Sequence, residues 1–169
     1  MNKIKPVISV FLSLIFASPL SNALDSDVNQ NIHIKAEKSQ YDNQRGFLTY
    51  EGNVEFNQGS IEITADSIEL IIVNDSITFA EAKGSPARFI QTINIDGSQV
   101  EAFGETIKYW VSNGTLQINK NAELHQGSNQ MSGGEIFYNL TTNLANIIGD
   151  PDQGDGRMEM IFKPATPDQ

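Results

Sequence analysis

The sequence predicts an all-β protein: an elongated antiparallel jelly roll or β-solenoid in which two facing sheets enclose an apolar interior. Three observations predict it. Apolar and polar residues alternate along most of the chain, a stretch of 25 residues recurs 68 positions later, and a shorter element in which the apolar phase slips by one residue occurs four times. Alternation with a period of two puts successive side chains on opposite faces of a strand, so each strand buries one face. No 12-residue window carries a helical stripe.

The first 23 residues stand apart from this pattern. Lys3 and Lys5 precede an apolar run from Val7 to Ala17, followed by Pro19 and then Ser21-Asn22-Ala23. A short basic region, an apolar core and small residues before a cleavage point describe a secretory signal peptide, with cleavage predicted after Ala23. The run is short for a bilayer span. A single domain over residues 24–163 is predicted to follow, with 164–169 as a frayed tail.

Charge and composition exclude several function classes. The leader carries two of the 11 basic residues and no acid, leaving nine against 21 acidic residues and a net charge of −12. Nucleic acid is therefore not an expected partner, since binding it needs a basic footprint. The chain has no Cys, which excludes disulfides, Cys-ligated zinc and a Cys nucleophile. An exported chain without Cys fits a bacterial periplasm.

The strands follow in order. Ile32-Ile34-Ala36 begins the first slipping element, which continues at Tyr41. Leu48, Tyr50, Val54 and Phe56 share one parity, with Thr49, Glu51, Asn53 and Glu55 on the other face. Ile61-Ile63-Ala65 then passes to Ile68-Leu70, Val100-Ala102-Gly104 to Ile107-Tyr109, and Met131-Gly133 to Ile136-Tyr138. A one-residue slip turns side chains to the wrong face unless the strand bulges or turns a corner there. Ala36, Ala65, Gly104 and Gly133 are therefore the predicted corners. Leu116, Ile118, Ala122 and Leu124 form another alternating run, as do Met158, Met160 and Phe162. Gly59-Ser60, Asn113-Gly114 and Gly127-Ser128 supply turn signals.

The long repeat aligns the stretch beginning at Gly46 with that beginning at Gly114. Identities are Gly46/Gly114, Leu48/Leu116, Asn53/Asn121, Glu55/Glu123, Gln58/Gln126, Gly59/Gly127, Ser60/Ser128 and Ile68/Ile136. The four predicted corners stand 29, 39 and 29 residues apart, and spacings of this size indicate stacked supersecondary units, each unable to close a core alone. The ends of such a stack expose unpaired strand edges.

His33 and His125 are the only histidines. They fall on outward parities and lack the spacing of zinc ligands, so no metal or cofactor is expected. Asp150-Pro151-Asp152-Gln153-Gly154-Asp155-Gly156 lacks the ordered oxygens of a calcium loop and reads as a turn.

The stretch from Ile32 to Leu70 resembles the core of the OstA-like family. The matching points are Ile32-His33-Ile34, Tyr50-Glu51-Gly52-Asn53-Val54, Gln58-Gly59-Ser60-Ile61 and Ala65-Asp66; Gly84-Ser85-Pro86-Ala87 resembles the family's Gly-x-Pro-Ala segment. The likeness spans roughly Ile32 to Ile148. It implies a periplasmic lipopolysaccharide-binding transport protein that shields acyl chains in an apolar groove. Implied partners are lipopolysaccharide through its lipid A, an inner-membrane-anchored and an outer-membrane OstA-like protein, and further copies of the chain joined end to end. A cleaved leader and a short chain fit the soluble bridge rather than the anchored or barrel-bearing members.

On this reading the inward parity lines the groove: Ile32, Ile34, Leu48, Tyr50, Val54, Phe56, Ile61, Ile63, Ile68, Leu70, Phe79, Phe89, Ile107, Tyr109, Leu116, Ile118, Leu124, Met131, Ile136 and Tyr138. Sequence alone does not separate a lipid groove from a closed core, because both have this pattern. Lys35, Arg88 and Lys108 are the expected head-group contacts. With the chain at −12, acyl burial rather than long-range attraction must drive binding. Two rival readings are a self-associating β-repeat with no lipid ligand and a polysaccharide-active enzyme. The acids Glu51, Glu55, Glu62 and Glu69 fall on outward faces, not across a cleft as a glycosidase needs, so no catalytic residues are expected.

Overall fold

A computed structural model describes Asp27, residues 29–93 and residues 97–162. The predicted leader with its cleavage point after Ala23, and the predicted tail at 164–169, lie outside the described residues. Among the described residues ten strands follow one another: β1 (Ile32–Lys35), β2 (Lys38–Asp42), β3 (Phe47–Gln58), β4 (Ile61–Val73), β5 (Ser76–Thr92), β6 (Gln99–Trp110), β7 (Thr115–Gln126), β8 (Asn129–Asn139), β9 (Leu144–Ile148) and β10 (Glu159–Ile161). One short 3-10 turn, Val111–Asn113, joins β6 to β7. All pairings are antiparallel, in the order β1-β3-β4-β5-β6-β7-β8-β10, with β2 also on β3 and β9 also on β8.

The two facing layers are two halves of this one sheet. Every long strand breaks register near its middle: between Glu51 and Val54, Thr64 and Ser67, Lys83 and Ala87, Phe103 and Thr106, and Asn119 and Ala122. These breaks stand side by side across the sheet, so the whole sheet folds along one line. The first wall holds β1, the second half of β3, the first of β4, the second of β5, the first of β6, the second of β7, the first of β8, and β10. The second wall holds β2, the complementary halves, and β9.

The predicted corners fall on this line. Ala65 and Gly104 sit inside register breaks, Gly133 borders one, and Ala36 lies between β1 and β2. Gly104 and Gly133 are small for a steric reason. An added Cβ would stand 2.6 Å from Ile118 Cγ2 at Gly104 and 2.6 Å from the Ile148 carbonyl at Gly133. A second kind of corner serves β3 and β7. There two consecutive residues take positive φ: Gly52 (+81°) with Asn53 (+46°), and Lys120 (+58°) with Asn121 (+51°). Two left-handed residues turn the strand and restore the original parity, which is why Leu48 and Phe56 share a face despite the bend.

Between the walls lies one apolar cluster. Ile61, Ile63, Phe89, Ala102 and Leu124 enter from the first wall, and Ile68, Leu70, Ile107, Leu116 and Ile136 from the second. Phe89 and Tyr109 meet across the gap with ring centroids 5.5 Å apart. Each buried Ile or Leu contributes roughly 1.5–3 kcal/mol of transfer free energy. The interior is filled by the chain's own side chains.

Candidate functional site

The apolar interior between the two walls is the candidate site that the fold builds. Of the residues named as its lining, Val54, Phe56, Ile61, Ile63, Ile68, Leu70, Phe89, Ile107, Tyr109, Leu116, Ile118, Leu124, Met131, Ile136 and Tyr138 are buried. Ile34, Leu48 and Tyr50 are half-buried against the cluster. Ile32, on the edge strand, is 41% exposed.

Phe79 is a correction. On β5 the inward residues are Ala80 and Ala82, both buried, so Phe79 faces out. It stands in register with Ile71 and Trp110, its ring centroid 5.3 Å from that of Trp110, in an apolar row on the outside of the second wall. The parity set by Ala80 and Ala82 decides the face. Small inward residues, Ala80, Ala82, Ala87, Val100, Ala102 and Ala122, were missed as lining although the same alternation marks them.

The three expected head-group cations are also corrected, because each is the outward neighbour of an inward residue. Lys35 Nζ lies 3.0 Å from Glu55 on the outer face of the edge strand. Arg88 pairs with Glu101 and lies over the Phe103 ring, 5.9 Å from its centroid, next to the corner and far from the mouth. Lys108 stands on the outer face of β6, in register with Glu81 and Gln117. Lys35 and Arg88 neutralise neighbouring carboxylates. None of the three cations lines the mouth.

Polar groups at the mouth come from elsewhere. Asp27, 4% exposed, reaches over the rim of the first wall at the β3–β4 turn. Its Oδ1 accepts from the Ser60 backbone N–H at 2.8 Å; its Oδ2 accepts from Ser60 Oγ at 2.7 Å and from Gln91 Nε2 at 2.9 Å. Ser60 Oγ accepts in turn from the Thr92 N–H at 3.2 Å. Gln91 is wholly buried, with Oε1 unpartnered, as is Tyr109 Oη on the second wall. Burial, and then the negative charge of Asp27, push the Tyr109 phenol up to about 12. Burial alone pushes Tyr138 up to about 12. Inward parity through Ala87 and Phe89 does point to Gln91. Nothing local in the sequence points to Asp27, which lies 64 residues from Gln91.

His33 is exposed. His125 is half-buried on the outer face, its ring 5.4 Å from Phe103 and its Nε2 3.3 Å from Glu123. Among the described residues no cluster of His, Cys, Asp or Glu could hold a metal ion. The Asp150–Gly156 segment forms a turn between the walls, with Asp150 Oδ1 accepting from the Asp152 N–H at 3.0 Å and Asp155 held by Arg157.

Both ends of the trough are bounded by short strands. β1 and β2 border one end, where Ile32 and Tyr41 are exposed. β9 and β10 border the other, where Leu144 is 70% exposed and Ile161 and Phe162 are also uncovered.

A single bent antiparallel sheet enclosing an apolar interior between two edge-strand ends is an elongated β-jelly roll. The family described as LptA/(LptD N-terminal domain) LPS transport protein matches residues 33–144, and the chain belongs to that family. Named relatives agree. The chain is 29% identical over 136 residues to the lipopolysaccharide export system protein LptH of Pseudomonas aeruginosa, covering 80% of this chain and 78% of that one. It is 28% identical over 156 residues to LptA of Haemophilus influenzae, covering 90% and 88%, and 29% identical over 139 residues to LptA of Escherichia coli K12, covering 81% and 75%. The crystal structure of Pseudomonas aeruginosa LptH, described as a periplasmic component of the lipopolysaccharide transport device, superposes with a TM-score of 0.76 at 25% identity over 82% of this chain and 99% of that one.

Proposed function

We propose that this chain binds lipopolysaccharide by its acyl chains in the trough and carries it across the periplasm as one unit of an end-to-end bridge between the two membranes. The continuous apolar interior between two walls is the observation that carries the reading. Each CH₂ kept from water is worth about 0.8 kcal/mol, so a multiply acylated lipid gains a large driving force that needs no net attraction to a −12 protein. Because the interior is filled by side chains, the walls must part along their rims to admit a lipid. The uncovered ends support assembly by strand addition, β9 and β10 of one copy meeting β1 and β2 of the next. A leader removed after Ala23 would deliver the domain over 24–163 to the periplasm. Binding and transfer, not catalysis, is the activity proposed.

Photo-crosslinking in cells tests the trough. A photoreactive aromatic replaces Phe56, 3% exposed, or its neighbour Glu55 on the outer face. A lipopolysaccharide adduct at position 56 and none at 55 is expected. A folded, exported protein with adducts at neither position would mark the interior as a closed core and favour a self-associating β-repeat without lipid.

A further inference from the structure

Asp27 is a buried carboxylate that forms no ion pair among the described residues. Three neutral donors satisfy it: the Ser60 N–H, the Ser60 hydroxyl and the Gln91 amide. Donors that converge on a carboxylate in a dry setting form an anion site, because charge-assisted bonds of this kind are about twice as strong as neutral ones. Two further groups beside it lack partners: Tyr109 Oη, free to donate from the opposite wall, and Gln91 Oε1, free to accept. A ligand carrying a phosphate next to a sugar hydroxyl would satisfy all of them. Leaving such groups unpaired is costly.

We propose that the nest formed by Ser60 and Gln91 receives the phosphate of a phosphorylated sugar head on an acylated lipid, and that the Asp27 carboxylate holds this place until the lipid displaces it. The inference deepens the reading of the trough as a lipid site and rests on it. It also explains how an acidic protein whose basic residues face outward handles an anionic head: neutral donors at the rim do so, and the chain's own acid keeps them satisfied when the trough is empty. Departure of Asp27 frees the rim of the first wall at the β3–β4 turn, where the walls must part.

NMR on the full mature chain tests this. The Ser60 backbone amide and Gln91 side-chain amide report the nest, and the Ile68 and Leu116 methyls report the interior. The titrants are a diphosphorylated lipid A below its micellar concentration, the same lipid with both phosphates removed, and inorganic phosphate. The phosphorylated lipid is expected to move both sets of signals and the dephosphorylated lipid only the methyls. Moving methyls with still nest signals under the phosphorylated lipid would overturn the inference and leave the trough reading standing. If neither set moved, the trough reading would fail and this inference with it. Equal nest shifts with inorganic phosphate alone would make it a free-phosphate site and overturn the head-group assignment. Asp27→Asn weakens the resident occupant, so affinity for the phosphorylated lipid should rise on the order of tenfold, as removing a competing closed state does, while Ser60→Ala should lower it. A merely structural cap would lower the melting temperature in both variants and leave both affinities unchanged.

Discussion

Gln58-Gly59-Ser60 and Gln126-Gly127-Ser128 are the same tripeptide, 68 residues apart, in hairpin turns on the same rim. Both glycines have φ near +59°. Over the first lies Asp27, whose Cα would stand 2.9 Å from a Cβ at Gly59; over the second no described atom comes within 4 Å. The repeat therefore specifies backbone and leaves function to what is laid across it. Gly46/Gly114, Asn53/Asn121 and Gly59/Gly127, identical in both copies, all sit at positive φ. What the two copies do not share is the Asp27 carboxylate laid over the first turn.

Alanine at the two turns separates these roles. At Gly127 the cost is the left-handed backbone alone, about 1–2 kcal/mol. At Gly59 the same strain is joined by ejection of Asp27, which strands the Gln91 amide, for a total of about 2–4 kcal/mol. Urea unfolding of the two variants should show Gly59→Ala as clearly the weaker protein. Equal midpoints would mean that the Asp27 contact adds nothing to stability and that the turns differ only in appearance.

Two tyrosines offer a second comparison of the same kind. Tyr138 Oη donates to Asn143 Oδ1 at 2.9 Å, while Tyr109 Oη, near Asp27, has no partner. Tyr138→Phe should cost about 1 kcal/mol at neutral pH, and Tyr109→Phe nearly nothing in the unliganded protein. Both phenols are raised from 10.0 to about 12 in the fold. A group with a raised folded pKa contributes stability that is intact below its unfolded value, so this stability should hold to pH 10 and fall away between pH 10 and 12. Each Phe variant should flatten that alkaline loss in a denaturation series from pH 8 to 11.5. A wild-type curve already flat over this window would show that the phenols are not protected from ionising.

These pairs also mark how far the sequence could be read. Alternation and the recurring slip gave away the strands, the inward faces and the corners at Ala65, Gly104 and Gly133, because each follows from strand geometry within a few residues. Phe79 belongs to the opposite parity from Ala80 and Ala82, which carry the buried face of β5. Lys35, Arg88 and Lys108 were assigned by charge alone, and their outward parity was the contrary signal. The Asp27 contact was illegible for a different reason. It depends on how the segment before β1 crosses the rim, and no local pattern encodes a meeting with Ser60 and Gln91 that far along the chain.

The smallest expected effect lies at the corners, where the copies differ by Gly52 against Lys120. Both Asn residues that follow donate to a glutamate 16 residues earlier, Asn53 Nδ2 to Glu37 at 2.7 Å and Asn121 Nδ2 to Glu105 at 3.3 Å. At Gly52 a Cβ would press against the Glu37 side chain at 2.6 Å, so glycine is needed there. Lys120 instead holds φ at +58° with a full side chain, its Nζ 3.4 Å from Glu105 in an exposed pair. The left-handed backbone costs a lysine about 1 kcal/mol relative to glycine, and an exposed ion pair returns only about 0–1 kcal/mol. Lys120→Gly should therefore leave stability unchanged or raise it by about 0.5 kcal/mol in urea unfolding. A loss of more than that would show that the ion pair outweighs the strain, and that the second corner is held by charge where the first is held by the absence of a side chain.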